Sequence, residues 1–146
     1  MNIQSDFEEF LKFLETHQVD YMIVGGYAVA FHGFPRYTKD LDIFFDASAA
    51  NVTRLHKVLV QFGFRDETIP RGALATPGKV LAIGVAPVRI DLVNRIDGVD
   101  YAEARANAVR GRYGDIEVTF IGRQELIRNK SSTQRAKDKA DVEELT

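Results

Sequence analysis

An apolar run that ends on a glycine pair, Tyr21-Met22-Ile23-Val24-Gly25-Gly26, precedes a second run with acids at alternate positions, Asp40-Leu41-Asp42-Ile43. The first pattern predicts a buried strand that breaks at the glycines into a short helix. The second predicts a strand with both carboxylates on one face and Leu41 and Ile43 on the other, toward a core. Only the 13 residues 27–39 lie between the two motifs. Strand, turn, helix and acidic strand must therefore sit close together. Free amides at a helix start, with no side chain in the way, bind phosphate. The plainer role of Gly25-Gly26 is a tight turn that needs only backbone freedom. Two neighbouring carboxylates repel each other unless a cation sits between them, and hard divalent ions such as Mg²⁺ take carboxylates together with phosphate oxygens. The plainer role of Asp40 and Asp42 is an exposed acidic face on an edge strand. Asp is a poor strand former, so two in an apolar run ask for a reason.

The 146 residues suit one domain, 1–146, and 45% apolar content is enough for a core. A net charge of −2 advertises neither nucleic acid nor membrane as the main partner. Absence of cysteine rules out disulfides and thiolate zinc sites. No signal pattern opens the chain and no apolar run approaches a spanning length, so a cytoplasmic protein is expected. Ser5 and Glu8 form a capping-box pattern ahead of Phe7, Phe10, Leu11 and Leu14, which predicts a helix to about His17. Further expectations are strands at Val19–Val24 and Lys39–Phe45, a helix over Tyr27–His32, and a helix capped by Ser48. A weak strand is expected over Phe64–Ile69, then a loop to Gly78 and a hairpin of Val80–Val85 with Val88–Val93. Tyr101–Ala108 reads as a helix, Arg110–Asp115 as a polar turn and Ile116–Phe120 as a strand. Arg123–Asn129 and Thr133–Leu145 read as closing helices. The order predicts an α+β (mixed α/β) fold, a mixed sheet flanked by helices.

A third acid strengthens the metal reading. In Arg89-Ile90-Asp91-Leu92-Val93, Ile90 and Leu92 face the core and Asp91 faces away. Three converging carboxylates suit two-metal phosphoryl or nucleotidyl transfer, with ions roughly 3.5–4 Å apart, and Asp91 would help deprotonate an acceptor hydroxyl. Glu117 is the rival third carboxylate, with less apolar flanks. Arg36 is a candidate phosphate ligand because a guanidinium grips phosphate in bidentate fashion. Strand alternation puts Lys39 opposite Asp40, toward solvent or a salt bridge. Lys130, Arg135, Lys137 and Asp138 form either a solvated last helix or one that closes over a nucleotide. Residues Ala73–Lys79 fail as a P-loop, and the three histidines have no metal-ligand spacing. For His32, packing at a helix end is expected.

Taken together, Val24-Gly25-Gly26, Arg36, Thr38, Asp40-Leu41-Asp42-Ile43, Asp91 and the ending Lys130, Arg135, Lys137-Asp138, Asp141, Leu145 resemble the nucleotidyltransferase-fold superfamily, the fold of DNA polymerase beta. Among its members the pattern is similar to minimal nucleotidyltransferases, AbiE-type toxins and aminoglycoside or lincosamide nucleotidyltransferases. The resemblance implies two Mg²⁺ ions, with Mn²⁺ as a substitute, and transfer of a nucleoside monophosphate from an NTP to a hydroxyl. It implies metal ligation by Asp40, Asp42 and Asp91, and phosphate contact at Gly25 and Gly26. For Lys130 and Arg135 it implies a place at the nucleotide. Antibiotic-modifying members carry a further domain or a partner subunit for the acceptor. The expectation here is therefore a small acceptor site, one shared across a homodimer, or one supplied by a partner protein. The acceptor is a small molecule, a protein or an RNA, tRNA included. The rival reading is a non-catalytic nucleotide-binding or toxin–antitoxin partner protein.

Overall fold

The computed structural model of the chain describes residues 4–34, 38–70, 72–85, 88–133 and 135–146. Its first helix, α1 (Ser5–Thr16), buries Phe7, Phe10, Leu11 and Leu14, the stripe that its periodicity predicts. Strand β1 (Tyr21–Val24) is buried throughout and runs straight into α2 (Gly25–Phe31), whose first two residues are the glycine pair. The acidic strand is β2 (Asp40–Phe45), followed by α3 (Ala49–Phe62). Strands β3 (Val80–Val85) and β4 (Val88–Val93) form the expected antiparallel hairpin. A short helix, α4 (Tyr101–Ala106), is capped by Asp100, which accepts from the Glu103 amide. A second hairpin, β5 (Val109–Tyr113) with β6 (Ile116–Phe120), precedes α5 (Arg123–Ser131) and α6 (Ala136–Leu145).

The six strands make one mixed sheet in the order β3-β4-β2-β1-β6-β5. As expected, β4, β2 and β1 are neighbours. Strand β2 pairs antiparallel with β1 and parallel with β4, and Asp42 stands in register with Asp91 on one side and Val24 on the other. A one-residue slip in either pairing would send the carboxylates into the core. Leu41, Ile43, Ile90 and Leu92 are fully or almost fully buried, which fixes that register. The buried Asn51 amide ties down the far end of the pair: it accepts from the Asp20 amide and donates to the Asp20 and Asp46 carbonyls, at 2.7–2.9 Å. No helix among the described residues is long and apolar enough to cross a membrane.

Two expected elements differ. Phe64–Ile69 is not a strand; a single 3-10 turn forms at Asp66–Thr68. Its middle is a run of polar residues with no alternation to bury. Arg110–Asp115 is not a turn but mostly β5, an edge strand. Its arginines stay on the exposed side, where Arg110 forks onto Glu15 and also donates to Thr119. The turn is only Gly114-Asp115, a two-residue hairpin loop with Gly114 at φ +60°. The capping box also fails to form. Gln4 takes the N-cap position, and Glu8 instead accepts from the Asp115 amide. Ser48 does occupy the N-cap of α3, though its side chain makes no capping bond.

Candidate active site

Alternation along β2 and β4 puts Asp40, Asp42 and Asp91 on one face of the sheet, where they line a cavity of about 550 Å³. Gly25 and Gly26, at the start of α2, line the same cavity. So do Lys130 and Thr133 from the end of α5, and Arg135, Lys137 and Asp138 from the start of α6. Arg123 holds these walls together. It donates to the carbonyl of Leu145 at the end of α6 and to that of His32 at the end of α2. His32 itself bonds the Ile121 carbonyl at 2.8 Å, the packing role expected of it. Lys39 is exposed, yet it stands at the cavity rim rather than away from it. Arg36 lies outside the described residues. Glu117 is exposed on β6 beside Arg112 and does not line the cavity.

Close packing governs the glycine turn. Gly25 has φ +69°, and a Cβ there would fall 2.1 Å from Asp42 Oδ2. The turn therefore needs glycine twice over, for its backbone and for the carboxylate that abuts it. Gly25→Ala should lower stability by about 2 kcal/mol and also displace Asp42. Gly72 has a similar φ of +78°, but its added Cβ would meet nothing closer than 4.0 Å. Thermal melts should therefore show both alanine variants destabilised, while only Gly25→Ala also loses NTP binding. Equal NTP affinity in the two would show that Asp42 is not displaced.

Electrostatics mark the acidic group as strained without a cation. Burial, then the charges of Asp91 and Asp40, push the Asp42 carboxyl up to about 7, and the Lys130 ammonium pulls the other way. A hydrogen bond between Asp42 and Asp91 also favours the protonated form. By donor chemistry the trio fits a hard divalent ion. Among the described residues, however, no three acidic, His or Cys side chains already stand at metal-coordinating spacing. Asp91 Oδ1 accepts from Arg89 Nε at 3.0 Å.

Lys130 is placed differently from a free phosphate ligand. Its ammonium is buried between Asp138 and Asp141, 3.0 Å from each. Burial alone would raise the Asp138 carboxyl, but hydrogen bonds from Thr133 and Lys130, with the charges of Lys130 and Arg135, hold it below its ordinary value. Arg135 is the exposed cation of the group, with Nε 3.2 Å from Asp138 and most of its side chain in solvent. Sequence reading missed the bracing role of Asp138 and Asp141. The signal was their spacing of three on α6, which puts both on one face of the helix.

The sequence matches no protein-family model and no curated protein. Its backbone does match solved structures. One is TM1012 of Thermotoga maritima, a candidate nucleotidyltransferase, at 10% identity and TM-score 0.65 over 98% of this chain and 94% of that one. Another is the lincosamide antibiotic adenylyltransferase LnuA with lincomycin bound, at 16% identity and TM-score 0.59 over 99% and 98%. At these identities the likeness is one of architecture, and on that ground this chain is a protein of the nucleotidyltransferase fold.

Proposed function

We propose that the chain is a divalent-metal-dependent nucleotidyltransferase that moves a nucleoside monophosphate from an NTP to an acceptor hydroxyl and releases pyrophosphate. The observation that carries this reading is the meeting of Asp40, Asp42 and Asp91 beside the Gly25-Gly26 turn in one cavity. The three carboxylates would hold Mg²⁺, as two ions or with Mn²⁺ in their place, and the bound ions would stabilise charge on the phosphoryl oxygens. The chain's own groups divide the remaining work. Amides at the start of α2 take phosphate oxygens where Gly25 and Gly26 leave the approach open. Arg135, and Arg36 on sequence grounds, supply cationic grip. Lys130, fixed by its two aspartates, opposes the rise of the Asp42 carboxyl across the site. The acceptor oxygen forms its bond to the α-phosphorus as the bond to the bridging oxygen breaks. The electron pair leaves with pyrophosphate, and the hydroxyl proton passes to Asp91.

LnuA was solved with lincomycin bound, so a small-molecule hydroxyl is one acceptor class to test, beside a protein or an RNA. A homodimer or a partner protein would complete an acceptor site that this cavity only begins. A cytoplasmic setting, with NTP and Mg²⁺ at hand, suits the reaction. The test is release of pyrophosphate from each α-labelled NTP with Mg²⁺ across a panel of acceptors. Asp91→Asn should cut turnover by about 10²–10³-fold with little change in NTP affinity, because it removes an interaction made in the transition state. Glu117→Gln should leave turnover unchanged. The reverse pattern would make Glu117 the third carboxylate. Nucleotide binding without turnover under every combination would favour the non-catalytic partner reading.

A further inference from the structure

Arg89 stands two residues before Asp91 on β4, so both side chains leave the same face of the strand. Its Nε donates to Asp91 Oδ1 at 3.0 Å, and on the neighbouring strand its register partner is Asp40. Its Nη groups make no hydrogen bond or ion pair among the described residues. The arginine side chain is 47% exposed and the aspartate 16%. Arg89 itself does not line the cavity that Asp40 and Asp91 line. The result is an acidic trio of which one member is already held by a cation belonging to the chain.

We propose that Arg89 is a built-in counter-ion that occupies Asp91 until nucleotide arrives, so that divalent metal loads together with the NTP and not before it. This rests on the reading of Asp40, Asp42 and Asp91 as a divalent-metal site. A dication and a guanidinium at one carboxylate repel each other, and the negative charge of a triphosphate offsets that repulsion. Metal alone meets Arg89 in place and binds weakly. Metal with nucleotide does not carry the same penalty. Arg89 is thus a positioning residue, acting through Asp91.

The test is Mn²⁺ binding to the full chain, read from loss of the free-ion paramagnetic resonance signal, with and without a non-hydrolysable NTP analogue. Without the analogue, Arg89→Met should bind Mn²⁺ about tenfold tighter than wild type. With the analogue, the two should differ by less than about threefold, since the triphosphate already offsets the guanidinium. Arg89→Lys keeps the charge and should stay near wild type. Arg95→Met removes an equal charge from an exposed side chain at the cavity rim and should also stay near wild type. If Arg89→Met does not fold, Arg89→Gln gives the same comparison. Unchanged affinity on loss of the Arg89 charge, or an equal gain from Arg95→Met, overturns the proposal while leaving the metal reading intact. Failure of every form to bind Mn²⁺ even with the analogue overturns both.

Discussion

Replacing Asp42 by Asn is expected to cut nucleotidyl transfer by about 10³-fold, the scale of several kcal/mol of lost charge stabilisation, while making the metal-free protein more stable at alkaline pH. The two effects have one cause. Asp42 is hemmed in on two sides: half-buried, it stands in register with Asp91 and packs against the Gly25 turn. Its carboxyl is raised from 3.8 to about 7, by burial first and then by the Asp91 and Asp40 charges. Below the unfolded value both states hold the proton and the group is neutral to folding. As pH rises from there toward 7, the unfolded chain gives up its proton while the folded chain keeps it, so stability falls. Above that range the penalty is constant, on the order of 2–4 kcal/mol. Asparagine does not titrate, so the gap between variant and wild type should open between about pH 4 and pH 7. Urea melts in EDTA across that range measure it, and Mg²⁺ with NTP should close it. A pH-independent difference would mean that Asp42 is not held protonated by its neighbours.

The second large effect is structural. Lys130→Met should destabilise the protein by about 3–5 kcal/mol, because it removes the buried ammonium that sits between Asp138 and Asp141. Their side chains are only 7% and 6% exposed, and Lys130 is 7%. A melting temperature lower by roughly 10 °C is the expected reading. Adding Asp138→Asn and Asp141→Asn should restore most of it, since the triple variant buries no charge. The single variant should also weaken NTP binding, because the Lys130 charge is the one that opposes the rise of the Asp42 carboxyl. An unchanged melting temperature would show that the pair is wetter than its burial indicates.

The centre of this fold was legible in the sequence because acids and apolar residues alternate where the site forms. Leu41 and Ile43 of β2 and Ile90 and Leu92 of β4 are fully or almost fully buried, and the acids fall beside them. That pattern leaves one register and one face for Asp40, Asp42 and Asp91. The edges were less legible. Strand β5 reads Val-Arg-Gly-Arg-Tyr, whose arginines suggest a loop, yet an edge strand keeps such residues in solvent and buries only Tyr113 fully. Gly111 there is small for a reason outside its own strand: a Cβ would fall 2.3 Å from the Phe31 ring. Burial of Lys130 was hidden for a similar reason. Charged spacing on α6 looks like a solvated helix until α5 is packed against it, and only tertiary contact shows that the face is closed. The Arg89–Asp91 bond joins neighbours along one strand, but its consequence depends on β2 lying alongside.

On the proposed function, the glycine turn and the three aspartates form one metal-dependent nucleotide site. Calorimetric titration of wild type and Asp42→Asn with a non-hydrolysable NTP, in Mg²⁺ and in EDTA, tests it most directly. Wild type should bind at least about tenfold tighter in Mg²⁺, a difference of about 1.4 kcal/mol, because the ion joins carboxylate and triphosphate oxygens, and Asp42→Asn should lose most of that dependence. Equal wild-type affinity in Mg²⁺ and in EDTA would contradict it.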